Sequence, residues 1–340
     1  MNRVLKTFYI WRRKADYCRR DICAFLGLTD SSFKAARGAR IVVYHGICQH
    51  QPLRFNNIFL TRATFEAHLQ FYQKYFNVVS LDDYYHQRFS PHRFNICLHF
   101  DDGYANNHTY VLPLLEQYRV PATFFITAVR AAGYDILWND FLGILSKYGP
   151  QQLVFRQETF YKQRARFSRY VSASRGIGLW EMLRSEGFES KARLLNDLYP
   201  LAPFRENPQD TDYWLQMTPQ QIKELASSPW VTIGAHGYYH NDLPKIPLPD
   251  AEKEMFACRQ YLEDIIGKPV KAFAFPYGTY TPAVVEAAKR AGFSQLLPLN
   301  FHFPESAADP AQRERVIINP YVSVTNQQFN LIKRRYDFWR

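Results

Sequence analysis

A chain of 340 residues that is 47% hydrophobic and 16% aromatic can bury a sizeable core, which excludes global disorder. Its 42 Lys and Arg against 31 Asp and Glu leave a formal charge of +11, which suits an anionic surface. No basic run interleaved with aromatics forms a nucleic-acid-binding motif, so nucleic acid is not expected as a partner. Cys18, Cys23, Cys48, Cys97 and Cys258 are odd in number and irregularly spaced; they form neither a zinc pattern nor a disulfide framework and point to a reducing compartment.

Residues 1–38 form a basic and aromatic segment, with Arg3, Lys6, Arg12, Arg13, Lys14, Arg19 and Arg20 around Phe8, Tyr9, Ile10 and Trp11. Two readings are open: an amphipathic helix lying on an anionic membrane, or a helix packed on the domain with its charges in water. The apolar stretch here is too short for a secretory signal and is closed by Arg12-Arg13-Lys14. No apolar run approaches the roughly 18 residues of a transmembrane helix. The expectation is a cytoplasmic protein, peripheral on the inner face of the membrane. The basic aromatic tail 331–340 has the same character.

Ile41 to Gly46 reads as a first core strand, with His45 at its end. Thr61 to Phe76 reads as a helix, because Phe65, Leu69, Tyr72 and Phe76 recur at helical spacing and Thr61 can cap it. Val78 to Leu81, Phe94 to Phe100 and Pro121 to Ile126 read as strands, with a helix over Tyr110 to Tyr118. The alternation stops at about residues 134–215, an insertion rich in Arg, Gln, Phe and Tyr that is expected to be mainly helical, with a helix over Ser168 to Leu198. Trp138 at its start offers either a stacking face for a sugar ring or a core side chain beside a turn. The pattern then resumes. Thr218-Pro219 starts a helix, Trp230 to Ala235 is a strand, and Asp250 to Ile266 is a helix ended by Gly267. Val270 to Phe275, Ser294 to Leu297 and Val316 to Ile318 read as further strands, with a helix over Thr281 to Ala291. Strands alternating with helices over residues 39–330 argue for a parallel α/β architecture.

Three strand ends carry chemistry. After Phe94 to Leu98 comes His99-Phe100-Asp101-Asp102-Gly103-Tyr104. Tandem carboxylates at a buried strand end repel each other, and persist most easily if a cation neutralises one while a task occupies the other. The plainer alternative is a helix cap followed by a turn glycine. After Trp230 to Ala235 comes His236-Gly237-Tyr238-Tyr239-His240, two imidazoles that share a face if the segment makes one helical turn. The third is Phe273-Ala274-Phe275-Pro276-Tyr277-Gly278, a strand-to-turn junction taken alone.

In this order the three stretches resemble the polysaccharide deacetylase family, the NodB-homology domain of carbohydrate esterase family 4. Phe100 to Tyr104 matches its Phe-Asp-Asp-Gly-Tyr. His236 to His240 matches its His-Ser/Thr-x-x-His with Gly237 in place of the hydroxyl residue. Ala274 to Gly278 matches its Arg-x-Pro-Tyr-Gly with Ala274 in place of the arginine. Val43-Tyr44-His45 is similar to the Leu-x-His element of a circularly permuted branch that acts on poly-N-acetylglucosamine. The resemblance implies an irregular (β/α) barrel of about seven strands. It implies a divalent metal, zinc first and Co2+ or Ni2+ as alternatives, held by Asp102, His236 and His240. It makes Asp101 the general base and His45 the acid for the leaving amine, with His302 a weaker candidate. The backbone N–H of Tyr277, beside Pro276, would support the oxyanion. Arg315 is the candidate surrogate for the arginine missing at Ala274. The implied substrate is an N-acetylated amino sugar in a polysaccharide or lipid-linked glycan. The rival readings are an amidohydrolase for a small non-sugar amide and a non-catalytic glycan- or membrane-surface-binding protein.

Overall fold

Short apolar strands and amphipathic helices alternate along the chain because each strand is buried on both faces and each helix covers it with one. The computed structural model describes residues 3–164 and 169–333; the tail 334–340 and the side chains of residues 3–9 lie outside the description. Eight strands form the central sheet: β1 (Ala39–Tyr44), β2 (Phe76–Val78), β3 (Phe94–Phe100), β4 (Ala122–Ile126), β5 (Val231–Ala235), β6 (Ala272–Ala274), β7 (Gln295–Leu297) and β8 (Val316–Ile317). Seven run in the order β7-β6-β5-β4-β3-β1-β8, all parallel, and β2 pairs with the start of β3. The expected irregular barrel is therefore what the chain builds, as a half-barrel.

The segment before β8 runs along the β7 edge: Leu296 N–H donates to the Ala311 carbonyl at 2.7 Å, and Arg313 N–H to the Leu296 carbonyl at 3.0 Å. Val42 then pairs with Val316 and Val43 with Ile317. This routing brings Arg315 to the barrel interior.

Capping residues set several helix starts as the sequence predicts. Thr61 accepts from Thr64 N–H and starts the helix Arg62–Tyr75. Thr218 and Gln221 make a reciprocal capping box for Pro219–Ser227. Gly267, at φ 65°, ends Leu248–Ile266. The second predicted strand is displaced: Phe76–Val78 pairs with β3, and Leu81 instead opens a short helix capped by Ser80.

The main core packs Val42, Phe76, Leu98, Phe100 and Phe124 of the sheet against Phe65, Leu69 and Tyr72. Each such side chain contributes about 1.5–3 kcal/mol by leaving water. Within it, the Tyr44 hydroxyl lies 3.0 Å from His68 Nδ1 and 2.6 Å from the Tyr72 hydroxyl. Burial drives the His68 pKa down to about 3, so this imidazole is neutral.

The insertion is mainly helical, as expected, with one addition. It holds a three-stranded antiparallel sheet, Gln152–Phe155, Glu158–Gln163 and Arg169–Ser172. The helix expected over Ser168 to Leu198 is a strand at its start and two helices thereafter, Leu179–Arg184 and Phe188–Asp197. Pairing of Phe160 with Ser172 and Tyr161 with Val171 makes the start of that segment a strand, which its Tyr170 and Val171 suit. Trp138, Phe141, Leu145, Phe160, Leu183 and Leu194 make its apolar cluster.

Candidate active site

Register places the first two residues of the site. Tyr44 and Phe100 end adjacent strands in register, and Asp101 N–H donates to the Tyr44 carbonyl at 3.0 Å. His45 and Asp101, the next residues, therefore emerge side by side at the C-terminal rim, where parallel barrels present functional groups. β5 arrives from the other side of β4, and His236 N–H donates to the Ile126 carbonyl at 3.0 Å.

Asp102 Oδ1 lies 3.3 Å from His236 Nε2 and 3.2 Å from His240 Nε2. One ligand atom from each of the three residues falls within 4.8 Å of the others, and all three are buried. His236 Nδ1 lies 2.7 Å from the Ala274 carbonyl. A neutral His236 donates there and leaves the Nε2 lone pair facing Asp102, the tautomer a metal needs. A buried carboxylate and two imidazole nitrogens converging on one point fit a divalent cation with open positions.

The His236–His240 segment is not the helical turn its spacing suggested. Gly237 has φ 78° and His240 φ 57°, and the irregular loop still brings the ring centroids to 5.1 Å. Three of the eight non-glycine residues with positive φ among the described residues are Asp102, His240 and Tyr277. Each costs on the order of 1 kcal/mol, and their gathering at one rim marks a place where side-chain direction outweighs backbone comfort.

Gly237 does not leave the loop unsupported. A Cβ there would meet Glu254 Oε1 at 3.1 Å and Pro276 Cγ at 3.4 Å. Buried Glu254 accepts from Tyr239 N–H at 3.0 Å and from Asn241 Nδ2 at 2.9 Å, and so holds this loop.

Ala274 carries no charge, and a different arginine stands beside Asp101. Arg315 Nη1 donates to Asp101 Oδ1 at 2.8 Å, and both side chains are buried. Burial alone would push the Asp101 carboxyl up, but the Arg315 guanidinium and His236 hold it below the usual range. Asp102 is held well below against the same burial by His240 and His236. Burial lowers His240, while for His236 the two aspartates outweigh burial and raise it. His45, half-buried, is lowered by desolvation and feels the charges of Asp102, Asp101 and His236. His302 instead stands exposed, its ring 5.7 Å from that of Tyr280.

The insertion supplies residues that sequence reasoning missed. The Tyr104 hydroxyl donates to Asp140 Oδ2 at 2.9 Å; burial and the charge of Asp102 push the Asp140 carboxyl well up. Arg184 pairs with Asp242 at 2.7 Å and lies 4.7 Å over the Tyr277 ring, whose centroid is 4.8 Å from that of His240 with the two rings tilted 59° apart. Lys191, buried and lowered to about 8 by desolvation, donates to Asn241 Oδ1. No local motif announces any of them. Trp138 proves to be a core side chain, 1% exposed, beside Trp180 and under Lys191, so its indole offers no open stacking face. Pro276 is buried against Gly237.

The family model described as polysaccharide deacetylase matches residues 90–175 and 206–296. None of the curated proteins compared matches the chain. Among solved structures, a Streptococcus pyogenes deacetylase in complex with acetate superposes with a TM-score of 0.55 at 16% identity, covering 88% of this chain and 100% of that one. A polysaccharide deacetylase from Bacillus cereus gives 0.52 at 18% identity, covering 88% and 70%. IcaB from Ammonifex degensii gives 0.52 at 17% identity, covering 87% and 97%.

Proposed function

Since the chain belongs to the polysaccharide deacetylase family, hydrolases of carbohydrate amide bonds, we propose that it is a metal-dependent N-deacetylase that converts the acetamide of an N-acetylated amino sugar to an amine and acetate. The substrate is a surface polysaccharide or its lipid-linked precursor. The observation that carries this reading is the meeting of Asp102, His236 and His240 at one point beside a second, arginine-held carboxylate.

Asp102, His236 and His240 would hold the divalent metal, zinc by its donor set, which supplies Lewis acidity to the acetamide carbonyl and acidifies water. Asp101, kept ionised by Arg315, takes the proton of the attacking water as the C–O bond forms. The backbone N–H of Tyr277 supports the negative charge that gathers on the carbonyl oxygen. His45 gives its proton to the amine nitrogen as the C–N bond breaks. His45 follows the strand end next to that of Asp101, which supports its assignment over His302.

The reading is tested by acetate release from chitooligosaccharides and poly-N-acetylglucosamine with zinc or cobalt added. Release that stops with a chelator and returns with metal is expected. Silence on every acetylated glycan, with no metal bound, overturns it.

A further inference from the structure

The helix Arg3–Phe25 has two faces of opposite character from residue 10 onward. One packs on the helix Val324–Lys333. Arg20 is buried there with its guanidinium 5.3 Å over the Phe329 ring, and Asn326 Nδ2 donates to Asp21 Oδ1 at 2.9 Å and to the Tyr17 carbonyl at 3.1 Å. The other face carries Trp11, Ala15, Cys18, Ile22 and Phe25, spaced four, three, four and three apart, which is a single stripe along a helix. That stripe is open: Trp11 is 69% exposed, Ile22 55% and Phe25 90%. Leu26 and Leu28 extend it, also exposed. Five of the twelve exposed large hydrophobic side chains among the described residues lie in these eighteen positions, so this is a patch and not scatter.

The charge follows the same geography. Residues 1–40 hold ten Lys and Arg against three Asp, and residues 333–340 hold four against one. The rest of the chain is nearly balanced, with 28 against 27. The helix that leads into the second cluster packs on the helix that carries the first. Arg12 and Arg19 flank the stripe on one side and Lys14 on the other, all exposed.

We propose that this helix lies in the interface of an anionic phospholipid bilayer, with Trp11, Ile22, Phe25, Leu26 and Leu28 below the headgroups and Arg12, Lys14 and Arg19 on the lipid phosphates. A second copy is the poorer occupant, because a stripe with cationic rims facing its own image sets like charges together. A negatively charged lipid surface complements both the stripe and its rims. No helix among the described residues is long and apolar enough to cross a membrane, so the mode is lying on the surface. The inference stands apart from the catalytic reading and is read without activity.

The test is flotation of the full chain with vesicles of phosphatidylglycerol and phosphatidylethanolamine, and with vesicles of phosphatidylcholine alone. The protein should float with the first and stay behind with the second. Ile22→Glu with Phe25→Glu should weaken that partitioning by at least about 10-fold. Arg12→Glu with Arg19→Glu should remove the preference for anionic lipid. Unchanged thermal melting confirms that these exposed substitutions leave the fold intact. Indifference of the wild type to anionic vesicles overturns the proposal. So does a dimer in sedimentation velocity that Phe25→Glu dissolves while vesicles are ignored, since the stripe would then belong to a second copy.

Discussion

The barrel core and the rim above it bury the same kinds of side chain and treat them in opposite ways. Below, His68 meets the Tyr44 hydroxyl, which is bonded in turn to that of Tyr72, and burial alone lowers its pKa. Above, His236 is as deeply buried, yet two aspartates reverse the direction of its shift. The core admits polar groups only when neutral; the rim collects Asp101, Asp102 and Arg315 as charges and settles them on one another. Equal burial with unequal charge is what separates a packing residue from a chemical one here.

The sharpest way to break this contrast is at Asp101. Asp101→Asn keeps the shape and removes the base, so kcat should fall by about 10³-fold while zinc affinity measured by calorimetry is retained. A variant that turned over normally would place Asp101 with the core residues. Arg315→Met should lower kcat by roughly 10- to 100-fold and move the acid limb of the pH–rate profile to higher pH, since Asp101 then loses the cation that holds it ionised. A uniform loss of expression without a profile shift would make Arg315 a packing residue only.

The opposite end of the contrast is tested at His68. Its native pKa lies below its unfolded value, so its contribution to stability is complete above about pH 6.5 and drains away as the pH falls towards 3. Between pH 7 and pH 5 the wild type should therefore lose about 2 kcal/mol more than His68→Gln, read from denaturant midpoints. Parallel losses would show that His68 protonates in the fold without penalty.

Much of the rim was legible because strand ends are local. Asp101 and Asp102 follow an apolar run, and His236 and His240 follow another; parallel pairing does the rest. The arginine was not legible in the same way. Arg315 reaches Asp101 only because the segment before β8 crosses the β7 edge and pairs with β1, a matter of long-range routing. Alternation of strands and helices was enough for the parallel α/β architecture, and the family resemblance added the barrel; the small sheet inside the mainly helical insertion was not foreseen. Its strand Arg169–Ser172 depends on cross-strand partners that its own pattern does not name. Asp140, Arg184 and Lys191 reach the rim through that same tertiary packing, so their neighbours in sequence say nothing of it. The exposure of Trp138, left open by the sequence, was decided by the packing of Trp180.

The insertion's grip on the rim has a smaller measurable consequence. Phe188 stacks on Tyr239 at 4.0 Å, which ties the insertion to the loop between the two histidines. Phe188→Ala should cost about 1 kcal/mol of stability and raise KM more than it lowers kcat. Unchanged KM would confine that stack to folding.

The most direct measurement is anomalous scattering from crystals grown with zinc, collected on either side of the metal's absorption edge. A single peak enclosed by Asp102, His236 and His240, adjacent to an Asp101 still paired with Arg315, is the predicted result. Density for zinc elsewhere, or a rim left empty with the two histidines turned apart, would contradict it.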